Sequence, residues 1–305
     1  MKDGFIKVAA GTPDVQVADC EFNAAEIIKM VREMEAEGAK VMVFPELCIT
    51  AYTCGDLFWQ ENLLEEAKVQ LVRIAEETAD VDAIIFVGLP LEYKGKLYNV
   101  AAGLNHGEIL GFVPKTYLPN YNEFYEARYF TSGEDVDGTV TIRRSEYGLH
   151  HDEEMTDEDV EFGLEAELEA LEEEDSFEEL EEIDEEPDYI DEDETEEFDE
   201  VDVPISSNIL FICQEMPKLK IAAEICEDLW VPNPPSVGHA YHGANLIVNL
   251  SASDEVVGKD SYRKSLVSAQ SARLLCGYIY ATAGEGESTQ DLVYGGHNLI
   301  AENGT

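Results

Sequence analysis

Val41-Met42-Val43-Phe44-Pro45-Glu46-Leu47 decides how the rest of the chain is read. Four consecutive apolar residues fit a short strand buried on both faces, and Pro45 ends it because proline has no N–H for a sheet ladder. Upstream, Asn23 is placed to cap a helix that carries Ile27, Ile28, Val31 and Met34 on one face. Gly38 stops that helix, and Phe5 to Ala10 precedes it as a first strand. Downstream, a second helix is expected over Gln60 to Ala79, followed by a buried strand over Ala83 to Gly88. Strands alternating with helices predict an α/β fold in which helices cover largely buried sheet.

The pattern continues. Leu97 to Leu104 and Glu108 to Val113 read as a hairpin around His106-Gly107. Ile209 to Cys213, Leu219 to Ile225, Ala244 to Leu250, Gly277 to Ala283 and His297 to Ala301 read as strands, and Ser261 to Leu275 as a helix. Asn303-Gly304 is a hairpin-turn signal. A hairpin needs a second strand and the sequence stops first, so the expectation is a C-terminally truncated domain.

The chain has 305 residues and a net charge of −48, from 67 acidic against 19 basic side chains. The charge is concentrated: Asp152 to Asp202 holds 31 acidic residues and no Lys or Arg. Such dense like charge opposes compaction, so residues 150–203 are expected to form a disordered acidic insertion in one domain made of 1–149 and 204–305. A weak helical spacing at Leu164, Leu168 and Leu171 leaves open an acidic docking arm. A chain this acidic lacks the basic footprint of a nucleic-acid binder. The sequence has no apolar run long enough to span a membrane and no signal-peptide layout at Met1 to Ala10. None of the six cysteines forms a Cys-x-x-Cys pair, so reduced thiols in the cytoplasm are the expectation. His239 and His242 are three apart without a supporting motif, and no metal is expected there.

Three stretches place a functional group just after a strand: Phe44-Pro45-Glu46-Leu47, Val113-Pro114-Lys115-Thr116 and Glu224-Ile225-Cys226-Glu227. Strand ends are where α/β folds build chemistry. A cysteine can attack a carbonyl or nitrile carbon. A carboxylate can take its proton and later activate water. A lysine can stabilise thiolate and oxyanion, and the N–H after Cys226 can assist. Spacing alone leaves the plain readings open, a packed core cysteine and a surface lysine among them.

At these residues the sequence resembles a known family. The Glu46, Lys115 and Cys226 motifs are similar to the catalytic triad of the nitrilase (carbon–nitrogen hydrolase) superfamily. Residues 44–58, 114–126 and 223–232, with Asn249-Leu-Ser-Ala-Ser253 and Ala283-Gly-Glu-Gly-Glu-Ser-Thr289, resemble the glutaminase blocks of glutamine-dependent NAD synthetases. The likeness covers 1 to about 145 and 204–305. It implies a nitrilase-like α-β-β-α sandwich in which Cys226 attacks glutamine, Glu46 is the base and Lys115 stabilises the oxyanion. It also implies a pocket lined by Tyr52, Tyr121 and Phe124. Glu227 and Ser253 would hold the amino-acid head, and Lys259, where some members have Arg, would pair with the α-carboxylate. The same residues also fit core aromatics, a turn cap and a helix start. Gly284 to Ser288 reads as a turn beside the site, since two acids there argue against phosphate. The family's Ser-Gly-Gly-x-Asp-Ser loop is absent. ATP and magnesium are therefore expected only in a C-terminal synthetase domain missing here, and the hydrolysis itself needs no cofactor. A homo-oligomer is implied by the resemblance. A stand-alone amidase and a non-catalytic scaffold using the acidic arm remain as alternatives.

Overall fold

The computed structural model describes residues 4–143 and 200–305. Strand β1 (Val8–Ala10) leads to helix α1 (Cys20–Ala36), β2 (Val41–Val43) and, after a 3₁₀ segment, α2 (Glu61–Glu77). Then come β3 (Ile84–Tyr93), β4 (Lys96–Asn105), β5 (Glu108–Pro114) and β6 (Asp137–Arg143). The chain is described again from β7 (Glu200–Ser206), through β8 (Phe211–Ile212), β9 (Lys220–Ile225), α3 (Pro235–Tyr241) and β10 (Leu246–Ser251). It closes with α4 (Lys259–Leu274), β11 (Gly277–Thr282) and β12 (Leu299–Glu302).

The strands form two sheets, one in the order β1-β2-β3-β4-β5-β7-β6 and one in the order β12-β11-β10-β9-β8. Side-chain alternation distributes each strand between two cores. Val41 and Val43 face the inter-sheet cluster with Phe86, Ile225, Val248, Leu250 and Ile279, while Met42 faces the α1–α2 side with Ile27, Val31 and Leu71. On the far side Ile247, Val267, Tyr278 and Tyr280 pack sheet two against its helices. Helix, sheet, sheet, helix is thus the layering, with β2, β9 and β10 buried on both faces as their apolar runs predict.

Three expectations need correction. The cap of α1 is Asp19, whose carboxylate accepts from Phe22 N at 3.0 Å. Asn23 instead lies inside the helix, fully buried, and its amide donates to the carbonyls of Gln16 and Ile49. The region read as insert ends earlier than position 203. Glu200–Val203 lie in β7, which pairs antiparallel with β6 from Asp137↔Ser206 to Arg143↔Glu200. Both strands were missed because their outward positions are charged or Thr and only Ile142, Val203 and Ile205 are deeply buried. The rest of the acidic stretch, with its proposed leucine pattern, lies outside the described residues. The strand expected over Ile209 to Cys213 shrinks to two residues, while α3 was not foreseen. The Asn303-Gly304 turn is present, both residues having positive φ (50° and 90°) as such turns require.

Candidate active site

β2 and β5 of the first sheet and β9 of the second lead into one buried site between the sheets, and each hands over to one of the three predicted residues. Glu46 is fully buried. Its Oε1 accepts from Lys115 Nζ (2.6 Å) and Asn99 Nδ2 (2.6 Å), and its Oε2 accepts from Ala252 N (2.9 Å). The backbone here runs so close to β3 that a Cβ on Gly88 would lie 2.3 Å from Leu47 N. Lys115 is also fully buried, and its Nζ donates to a second carboxylate, Glu126 Oε1, at 2.7 Å. Tyr52 Oη donates to the same oxygen at 2.7 Å.

Cys226 follows β9 with φ +44°, the left-handed region that costs a non-glycine residue roughly 1–3 kcal/mol. Asp228 supports the bend. Its carboxylate accepts from Ile225 N (3.0 Å) and, across the sheet interface, from Tyr117 N (2.7 Å) and Thr116 N (3.2 Å). The turn carrying Cys226 and the segment carrying Lys115 therefore share one side chain. Glu287, in the Gly-rich loop, does the same for Tyr52: it accepts from Tyr52 N (2.7 Å) and from Thr53 N (3.0 Å) and Oγ1 (2.6 Å). That loop is the turn beside the site that its acids suggested.

Burial dominates the electrostatics. It presses Lys115 toward the neutral amine, but Glu126 and Glu46 outweigh it and hold the ammonium charged well above its ordinary pKa. Glu126 is pushed up to about 7 by burial and by Glu46, against the pull of Lys115. The Cys226 thiol is raised by burial, then by Glu46, and only partly drawn back by Lys115. Burial and Glu46 thus favour the thiol over the thiolate in the empty site, while Lys115, which the sequence places to stabilise a thiolate, pulls the other way. The lysine is already occupied by two carboxylates.

The predicted pocket residues divide. Tyr121 Oη donates to Glu227 (3.0 and 2.9 Å), and its ring meets Phe124 edge-on at 6.0 Å. Lys259 lies over Phe124 (5.7 Å) and Trp230 (5.4 Å). Its ammonium is paired with buried Asp254 rather than standing free for a carboxylate. Ser253 is buried and held by Arg263 (Nη2 to Oγ, 3.2 Å). Tyr52 bonds Glu126 and stands edge-on to Tyr294 at 6.2 Å. It lines a cavity of ≈ 170 Å³ together with Phe124, Glu126 and Leu292. Glu126, Asn99, Asp228 and Arg263 were not foreseen. Glu126 closes one of the resembling blocks, which is the one signal that singles it out from 67 acids.

His239 is buried and held neutral by desolvation, its pKa lowered to about 4. His242 Nδ1 sits on its own helix's Gly238 carbonyl. Among the described residues no group of three His, Cys, Asp or Glu is placed to hold a metal, and no helix is long and apolar enough to cross a membrane.

The sequence pattern of the carbon-nitrogen hydrolase family matches residues 7–303. The chain belongs to the carbon-nitrogen hydrolase family. A glutamine-dependent NAD(+) synthetase of Mycobacterium tuberculosis is 34% identical over 301 residues, which is 99% of this chain and 36% of that protein. One from Aquifex aeolicus is 28% identical over 93% of the chain and 36% of its own length. The chain thus spans little more than a third of these relatives. The crystal structure of a glutamine-dependent NAD(+) synthetase from Cytophaga hutchinsonii superposes with a TM-score of 0.71 at 26% identity, covering 98% of this chain and 39% of that one. A Nesterenkonia amidase of the nitrilase superfamily shares the carbon-nitrogen hydrolase fold, with a TM-score of 0.62 at 16% identity over 97% of this chain and 82% of that one.

Proposed function

We propose that this chain is the glutaminase portion of a glutamine-dependent NAD(+) synthetase. The observation that carries the reading is a fully buried ammonium, Lys115, gripping Glu46 and Glu126 beside a backbone-strained Cys226. Similarity to the synthetases supplies the substrate class.

The chemistry follows from the protonation states. Cys226 Sγ attacks the side-chain amide carbon of glutamine while its proton passes to Glu46, since the thiol is too basic to ionise first. The carbonyl electron pair moves to oxygen, and that oxyanion faces Lys115 Nζ and the N–H of Glu227. Glu46 returns its proton to nitrogen, the C–N bond breaks and ammonia leaves a glutamyl thioester. Glu46 then takes a proton from water, which attacks the thioester. Glutamate departs and the proton restores the Cys226 thiol.

Tyr121, Phe124 and Glu227 form the wall that receives the amino-acid head, with Ser253 a further ligand and the Lys259 ammonium over the Phe124 ring. Tyr52 reaches the chemistry through Glu126. Ammonia from this site would be used by a C-terminal synthetase domain, where ATP and magnesium drive amidation to NAD. Hydrolysis uses neither. A cytoplasmic homo-oligomer that binds neither nucleic acid nor membrane completes the reading.

The test is ammonia release from glutamine by the 305-residue chain, abolished in Cys226→Ala. Full activity in that variant would sink the reading. A stand-alone amidase, whose fold a Nesterenkonia amidase shares, is the second reading. An amide panel in which glutamine is ignored and another amide is cleaved would select it. The scaffold reading rests on acidic residues that mostly lie outside the described ones.

A further inference from the structure

Arg263, on α4, is fully buried, and its four terminal N–H groups are all committed. Nη2 donates to Ser253 Oγ (3.2 Å) and to the Asp254 carbonyl (3.0 Å). Nη1 donates to Glu255 Oε1 (2.7 Å) and to His297 Nδ1 (3.0 Å). A guanidinium donates and never accepts. His297 must therefore carry its proton on Nε2, and Ser253 Oγ must be the acceptor in its contact with Arg263. Ser253 is also fixed through its backbone, whose N–H donates to Thr282 Oγ1 at 3.0 Å. A serine hydroxyl has one hydrogen and two lone pairs; with Arg263 filling one lone pair, the hydroxyl must turn its hydrogen away from the guanidinium, where it is free to be donated to a substrate group.

The ligands around it sharpen the point. Lys259, the residue expected to meet an α-carboxylate, is already neutralised by Asp254. Glu227, which accepts from Tyr121, presents an acceptor suited to an ammonium. Tyr280 Oη lies beside Ser251 and Ser253 and has no hydrogen-bond partner of its own, so it can take the Ser253 proton while the pocket is empty. A carboxylate displaces it, because a charge-assisted hydrogen bond is roughly twice as strong as a neutral one.

We propose that Arg263 is a positioning residue that sets the hydrogen-bond polarity of Ser253, and that this polarity makes one end of the pocket specific for a carboxylate. The inference rests on the glutaminase reading and assigns the source of its preference for an amino acid over a simple amide. Lysine cannot replace the fork, since one ammonium with three hydrogens cannot serve four acceptors spread over two sides of a plane.

The experiment compares kcat/KM for glutamine with that for 4-aminobutanamide, which keeps the amide and the amine and lacks the carboxylate. In Ser253→Ala the preference for glutamine should fall by roughly 10- to 150-fold, the range for a hydrogen bond to a charged group. Arg263→Lys should give a loss of the same kind, through a higher KM for glutamine, with 4-aminobutanamide turnover unchanged. Adding Arg263→Lys to Ser253→Ala should cost no further preference. Because Arg263→Lys leaves Glu255 poorly compensated, the paired variant Glu255→Gln/Arg263→Gln, which removes both charges, is made alongside and should lose the same preference. If these variants slow both substrates by one common factor, Arg263 is only structural and the proposal fails while the glutaminase reading stands. If the unaltered chain hydrolyses no glutamine, the reading itself fails and takes the proposal with it.

Discussion

Replacing Lys115 with methionine keeps the volume of the side chain and removes its charge. The ammonium bonds Glu46 at 2.6 Å and Glu126 at 2.7 Å in a site from which all three side chains exclude water. Removing one partner of a buried ionic cluster costs about 3–5 kcal/mol, because the carboxylates stay behind uncompensated. The same change removes a donor to the developing oxyanion, which costs kcat about 10²–10³-fold. The two effects separate by pH. Without the ammonium Glu126 loses the partner that pulls its pKa down, so its folded-state pKa rises further and the folded protein binds more protons than the unfolded chain. Stability lost at pH 7.5 should therefore return on acidification toward pH 5, while activity should not. Urea unfolding of Lys115→Met at the two pH values, with ammonia release measured in parallel, reads both terms. A variant that unfolds at the same urea concentration as the parent at pH 7.5, or that keeps kcat within threefold, would refute the argument that one lysine neutralises both carboxylates and serves the chemistry.

Three further outcomes follow. Glu126 has a pKa raised to about 7, chiefly by burial, so kcat/KM should bend near that pH, and Glu126→Gln should remove that inflection from the pH profile. In the parent, the same group contributes stability that is fully present below the usual glutamate pKa and lost as pH rises through about 7, and the Gln variant should flatten that part of the stability curve. Asp228→Ala strands the N–H groups of Ile225 and Tyr117, and a destabilisation of about 2–6 kcal/mol is expected in denaturant melts, since each costs roughly 1–3. Gly88→Ala drives a methyl group to 2.3 Å from Leu47 N and should yield insoluble protein or one destabilised by more than about 3 kcal/mol, checked by expression and thermal melting.

The three reactive positions were legible because each follows a strand that could be read from its apolar run. β2 ends at Val43, β5 at Pro114 and β9 at Ile225, close to where the sequence puts them. Their meeting point follows from strand order and not from local pattern. Glu126 was hidden for a physical reason: it sits in a 3₁₀ turn, a segment without periodicity, and its burial comes from Lys115 and Tyr52 on other elements. The error at Asn23 has a similar origin. Asp19 and Asn23 are both competent caps, and only the tertiary carbonyls of Gln16 and Ile49 decide which of them is released for another task. The partner of Lys259 was not legible either, because a sequence cannot show that Asp254, five residues away, pairs with its ammonium.

Glu46 is anchored at both of its carboxylate oxygens. One of its oxygens is bound to two groups of the first sheet and the other to Ala252, just beyond β10 of the second. A general base tied at both ends cannot swing between a thiol, a leaving nitrogen and a water. Each proton must instead be carried to it by motion of the sulfur, the substrate or the solvent. The carboxylate is also a rivet between two layers, adding to the directional link that Asp228 makes across the same interface and to the apolar contacts around both. Kinetic loss in a Glu46 variant would therefore combine a missing base with a slipped interface.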